Sequence, residues 1–99
     1  MPQTPTMLDK VKLALRMSST SFDSQINDLI DAAILDLTKF ADIKTFTTTT
    51  ADAVQTNAVI AYVSYNWFKD EKFLRAYNDL KMQMSTSSYY RPAEVVSDV

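Results

Sequence analysis

A chain of 99 residues, 46% hydrophobic and 22% charged, has the material for one domain with a modest core, and no apolar run reaches the roughly 18 residues of a membrane span. It contains no cysteine, no histidine and no glycine. Disulfides, thiolate and imidazole ligands, an imidazole base and glycine-rich phosphate cradles are thereby excluded, and a formal charge of −2 provides no general basic surface for nucleic acid.

The polar start MPQTPTMLDK lacks the apolar core of a secretory leader. Pro2 and Pro5 hold the first residues extended, so residues 1–6 read as an N-terminal extension. Thr6 followed by Asp9 then resembles a capping arrangement that opens a helix over 7–17, with Met7, Leu8, Val11, Ala14 and Leu15 on one face and Leu13 off it. The hydroxyl-rich break at 18–21 introduces the longest predicted helix, 22–41. Phe22, Ile26, Leu29, Ile30, Ala33, Leu37 and Phe40 recur along it at helical spacing, with Asp23, Asp28, Asp31 and the apolar Leu35 on the other side.

Residues 42–50, rich in β-branched threonine, read as a loop in which Ile43 and Phe46 tuck against the bundle and Thr50 caps the third predicted helix. That helix, 51–68, is the element the others have to surround. At 100° per residue Val54, Ala58, Ala61, Tyr65 and Phe68 form one stripe, and Ala53, Ile60, Val63 and Trp67 fall on nearly the opposite side. A helix apolar on two sides needs cover on both, which makes it the central post of a bundle and predicts that Trp67 is largely buried. Tyr62, Tyr65 and Trp67 carry polar tips, which places part of this surface at a boundary. Lys69 and Asp70 force a sharp return into a last helix, 71–84, with Phe73, Tyr77, Leu80 and Met84 as its stripe. Residues 85–99 are polar, carry Pro92 and show no helical face, so they read as a flexible tail that orders only against a partner. The fold class is an all-α, single-domain bundle of about four helices (7–84) around a central apolar helix.

Charge is segregated. Residues 18–43 hold Asp23, Asp28, Asp31, Asp36 and Asp42 against Lys39 alone, whereas 7–17 carry Lys10, Lys12 and Arg16 against Asp9, and 69–91 carry five basic residues against three acidic ones. Opposite signs on separate elements suit contact between copies, with Asp28 and Asp31 as the acidic side and Lys10, Lys12 and Arg75 as the basic side. Leu35 and Met82 are the apolar candidates for such an interface, and Tyr89, Tyr90 and Arg91 form an anchor of the kind enriched at protein interfaces. The same tyrosines and arginine could stack on nucleic-acid bases, but the chain lacks the basic surface that such binding exploits. Asp28 and Asp31, at i,i+3 spacing, are the nearest approach to a catalytic or Mg²⁺-binding pair. A metal enzyme draws ligands from several elements, so a solvated acidic face is the better reading; no catalytic residue, metal ligand or cofactor is expected.

Three blocks, MLDKVKLALRMSSTSFDSQINDLIDAAILDL, NAVIAYVSYNWF and FLRAYNDLKMQMSTSSYY, resemble in order and spacing the head–tail connector family of tailed bacteriophages, the small head-completion or adaptor proteins also labelled DNA-packaging proteins. The resemblance spans residues 7–90. It implies an all-α, non-enzymatic subunit, made in the host bacterial cytoplasm, that forms a dodecameric ring in the virion at the head–tail junction. Its implied partners are further copies of itself, the portal protein, a tail-completion or stopper protein and the DNA passing through the channel, with no membrane. The chain departs from the family pattern in the leading MPQTP and in Lys69-Asp70, where relatives often have glycine. A small helical DNA-binding or regulatory protein, its first two helices imitating a helix-turn-helix, is the rival reading. The acidic second helix opposes it, because a recognition helix meets phosphates with Lys or Arg.

Overall fold

The computed structural model describes residues 6–41 and 43–91. Four helices, α1 (Met7–Leu15), α2 (Asp23–Leu35), α3 (Ala53–Phe68) and α4 (Glu71–Ser85), follow one another; a π-helical turn, Asp36–Phe40, prolongs α2, and a single 3₁₀ turn, Ser88–Tyr90, follows α4. Among the described residues there is no strand, and no helix is long and apolar enough to cross a membrane. The all-α expectation holds.

Three of the four helices start at a side-chain cap; α2 does not, since Phe22 stands at its N-cap and the hydroxyls of residues 18–21 leave its first N–H groups uncapped. At α1 the Thr6 hydroxyl accepts from the Asp9 N–H while the Asp9 carboxylate accepts from the Thr6 N–H, a capping box. At α3 the cap is Asp52, not Thr50: Asp52 accepts from the Gln55 N–H and Gln55 accepts from the Asp52 N–H, both at 2.9 Å. Thr50 instead accepts from the Thr47 N–H inside the threonine loop. Asp70 caps α4 through the Lys72 N–H.

The helix ends are unusual for a chain without glycine. Arg16 and Lys69 both take left-handed backbone, at φ 57° and 59°. Arg16 closes α1 in a Schellman motif, with Arg16 and Met17 donating to the carbonyls of Leu13 and Lys12; Lys69 closes α3 with a single bond to the Tyr65 carbonyl. A residue with a Cβ costs roughly 1–2 kcal/mol in this conformation, which the capping bonds of each turn offset in part.

Contacts orient the helices. Phe22, at the start of α2, meets Trp67 near the end of α3 edge-on at 5.5 Å, and Tyr62 meets Tyr77 at 5.2 Å, so α2 and α4 both run antiparallel to α3. Ala14 and Arg16 share a groove with Phe68, which sets α1 parallel to α3. The molecule thus has a turn end, built from the α1–α2 and α3–α4 connections, and a loop end, built from residues 43–52 and 86–91. Helix α3 packs against all three other helices. Ile26, Ile30 and Leu37 from α2 and its extension, Val11 from α1, Val59 and Val63 from α3 and Met84 from α4 are fully buried, and Ile43 and Phe46 tuck in from the loop. Each such aliphatic side chain contributes about 1.5–3 kcal/mol by burial.

Several apolar residues depart from expectation. Phe40 is 78% exposed. The π turn, in which the Ala41 N–H reaches back to the Asp36 carbonyl, advances each residue by less than the α-helical angle, so Phe40 stops short of the core face that Leu37 still meets. Ala14, Phe22 and Phe68 are also exposed, the two rings each meeting only one other aromatic side chain, Trp67 and Phe73. Trp67 is only partly buried, its indole covered by Phe22 on one side. For the tail, residues 92–99 lie outside the described residues, but the segment before them is engaged by the domain itself: the Lys44 N–H donates to the Tyr90 carbonyl and the Tyr90 hydroxyl donates to Asp52 at 2.8 Å.

Candidate assembly surface

On α2, Asp28, Asp31 and Leu35 follow one another at spacings of three and four, so they share one outward stripe. All three are exposed, and neither aspartate joins an ion pair among the described residues. Helix α2 contains no Lys or Arg. Lys10 is exposed on α1, but Lys12 is drawn inward: its ammonium lies 2.7 Å from Asp23 Oδ1, and both side chains are largely shielded. The contact is an ion pair off the hydrogen-bonding direction, since that oxygen has no well-aligned donor. It clips the start of α2 to α1, so Lys12 and Asp23 are engaged inside the subunit.

Arg75 and Met82 are exposed on α4, seven residues apart. Met82 and Phe40 border a shallow apolar groove of roughly 370 Å³ floored by Ala41 and Ser85. At the loop end Tyr89 is exposed, with the Lys44 ammonium 4.1 Å from its ring centre. Tyr90 stacks edge-on against Tyr89 at 4.8 Å and is partly buried. Burial and then the bond to Asp52 push its phenol up to about 12. Arg91 is exposed. The ten expected interface residues thus fall on at least three separate surfaces.

Sequence reasoning missed the tie between α2 and α4. Asp36, in the first turn of the π segment, accepts from the Tyr77 hydroxyl and from the Lys81 ammonium at 3.1 Å, and that ammonium also lies 4.9 Å from the Tyr77 ring. Burial, then the hydrogen bond to Asp36, drives the Tyr77 phenol well above its ordinary value. The three groups line a cleft of roughly 260 Å³ with Tyr62, Tyr65 and Asn66. Both donors meet the same oxygen, Oδ2, so the cluster ties the end of α2 to α4. Also missed were the exposed rings of Phe40 and Phe68. Among the described residues no group of three or more acidic side chains is placed to hold a metal ion.

Unpaired charges and exposed apolar side chains thus share the outward faces of a small all-helical subunit. The family model described as phage connector protein matches residues 7–91, and the chain belongs to that family. The family is a structural one and gives the chain a head–tail connector role in general terms, among the other head and tail proteins of a phage. No curated protein and no solved structure matches the chain.

Proposed function

We propose that the protein completes the phage head after DNA packaging by forming a ring in the virion that docks on the portal and prolongs the DNA channel towards the tail. The match of the connector family model across all four helices carries this reading. The unpaired acidic stripe on α2 and the exposed Leu35 and Met82 support it, because a ring needs two different patches on each copy that can meet on the next. The partners are further copies, twelve to the ring by likeness to the family, then the portal and a tail-completion or stopper protein. DNA passes nearby without sequence-specific contact. The absence of Lys and Arg from α2 speaks against the rival use of that helix for reading DNA.

Sedimentation over a range of concentration, alone and with isolated portal, tests the reading. A closed oligomer is the expected result, with negative-stain images showing a central channel. A monomer under both conditions, or retardation of short duplex DNA at low salt without self-association, overturns it.

A further inference from the structure

The turn end carries a groove that the sequence pattern does not reveal. Ala14 and Arg16 from α1, Phe68 from α3 and Asp70, Lys72 and Phe73 around the α3–α4 turn enclose roughly 410 Å³. Phe68 and Phe73 pack at 5.7 Å, and Phe68 is left 48% exposed. The two left-handed residues, Arg16 and Lys69, both stand at this end, and neither forms an ion pair among the described residues. Lys72 holds Asp70 only loosely, at 3.9 Å. Two cations therefore occupy the very turns where glycine would be conformationally easier, beside an open aromatic face.

We propose that this groove receives the α2 stripe of a second copy, Leu35 seating against Phe68 and Phe73 while Asp28 and Asp31 face Arg16 and Lys69. Charge selects the occupant. Among the exposed large apolar side chains, Leu13 stands among Lys10, Lys12 and Arg16 and Phe40 beside Lys39, like in sign to Arg16 and Lys69, and Met82 stands between Asp79 and a Lys81 already paired with Asp36, whereas Leu35 stands in line with two unpaired carboxylates. Donor stripe and acceptor groove are different surfaces, so one copy can offer its stripe while receiving another's, and the contact propagates. This inference rests on the self-assembly proposed above and replaces Lys10, Lys12 and Arg75 with Arg16 and Lys69 as its cationic side.

Because the chain has no cysteine, introduced thiols are unique. Two exposed positions, Leu35→Cys and Ala14→Cys, are made as separate variants, mixed, and treated with a short bifunctional maleimide at a concentration where sedimentation shows assembly. Covalent dimers are expected in the mixture and not in either variant alone. Charge supplies a second readout: Asp31→Lys should weaken self-association about tenfold at low salt, and combining it with Arg16→Asp in one chain should restore most of that loss. Assembly without cross-links specific to the mixture, or without restoration by the charge swap, overturns this interface and leaves the ring reading standing. Monomers at every concentration, alone and with isolated portal, remove both.

Discussion

The Tyr90 phenol is the residue that ties the end of the chain to the domain. Its hydroxyl donates to Asp52 Oδ2 while Asp52 Oδ1 caps α3 through the Gln55 amide, so one carboxylate serves two contacts. Tyr90 stands at about 12 in the fold against an ordinary 10.0, and a raised phenol means that the protonated form is the one the fold favours. Its contribution is therefore fully present below pH 10 and lost as pH climbs through about 12. Denaturant titrations should show Tyr90→Phe less stable than wild type by about 0.5–1.5 kcal/mol at neutral pH, with the gap closing across that alkaline window. A gap that stays constant with pH would mean that ionisation of the hydroxyl is not coupled to folding through Asp52, and no gap at neutral pH would mean that the ring's packing alone matters. Tyr77 makes the parallel case in a more shielded place. Replacing Asp36 by Ala strands the buried Tyr77 hydroxyl and frees Lys81, and should cost about 1–3 kcal/mol by the same assay, whereas Tyr77→Phe, which leaves Asp36 its bond to Lys81, should cost less.

Among elements, the stripes on α2 and α4 were legible because burial there follows the helical repeat: Ile26, Ile30, Ala33 and Leu37 are all buried, as are Tyr77 and Met84. Legibility stopped where that repeat stopped. Phe40 lies past the start of a π turn, and nothing in the spacing of apolar residues announces a change of angular step. The α3 cap is readable, because Gln55 stands three residues after Asp52 as a capping box requires, whereas Thr50, a cap former by residue type, has no such partner three residues on. Of the candidate surface, the Asp28–Asp31–Leu35 stripe could be read from one helix. The diversion of Lys12 to Asp23 could not, because it depends on how α1 lies against α2. The absence of glycine has a measurable consequence for the α3–α4 turn. Lys69→Gly relieves the left-handed backbone at the end of α3, and should raise stability by up to about 1 kcal/mol in urea denaturation, the unfolded chain's added freedom offsetting part of the relief. An unchanged or lower midpoint would show that the lysine stem contributes packing at that turn.

At the scale of the whole molecule, Trp67 offers a probe that needs no label. It is the chain's single tryptophan, sits at the turn end against Phe22, and is only partly covered. Its emission in the free subunit should be intermediate in wavelength and partly quenched by iodide, and Trp67→Ala should cost less than the roughly 3–5 kcal/mol of a fully enclosed aromatic. If copies associate through that end as proposed, assembly should protect the indole further, so that quenching falls as concentration rises. Salt then separates two contributions. The charges concerned are exposed, so screening over a Debye length of about 10 Å at 0.1 M acts mainly on encounter, while burial of Leu35 and the aromatic rings is little affected. Stopped-flow dilution and mixing, followed by Trp67 emission, should therefore show association slowing strongly with added salt while dissociation changes little. A dissociation rate that rises with salt as steeply as association falls would show that screened, exposed charges hold the complex together as well as steer its formation, against the apolar share given to Leu35 and the aromatic rings.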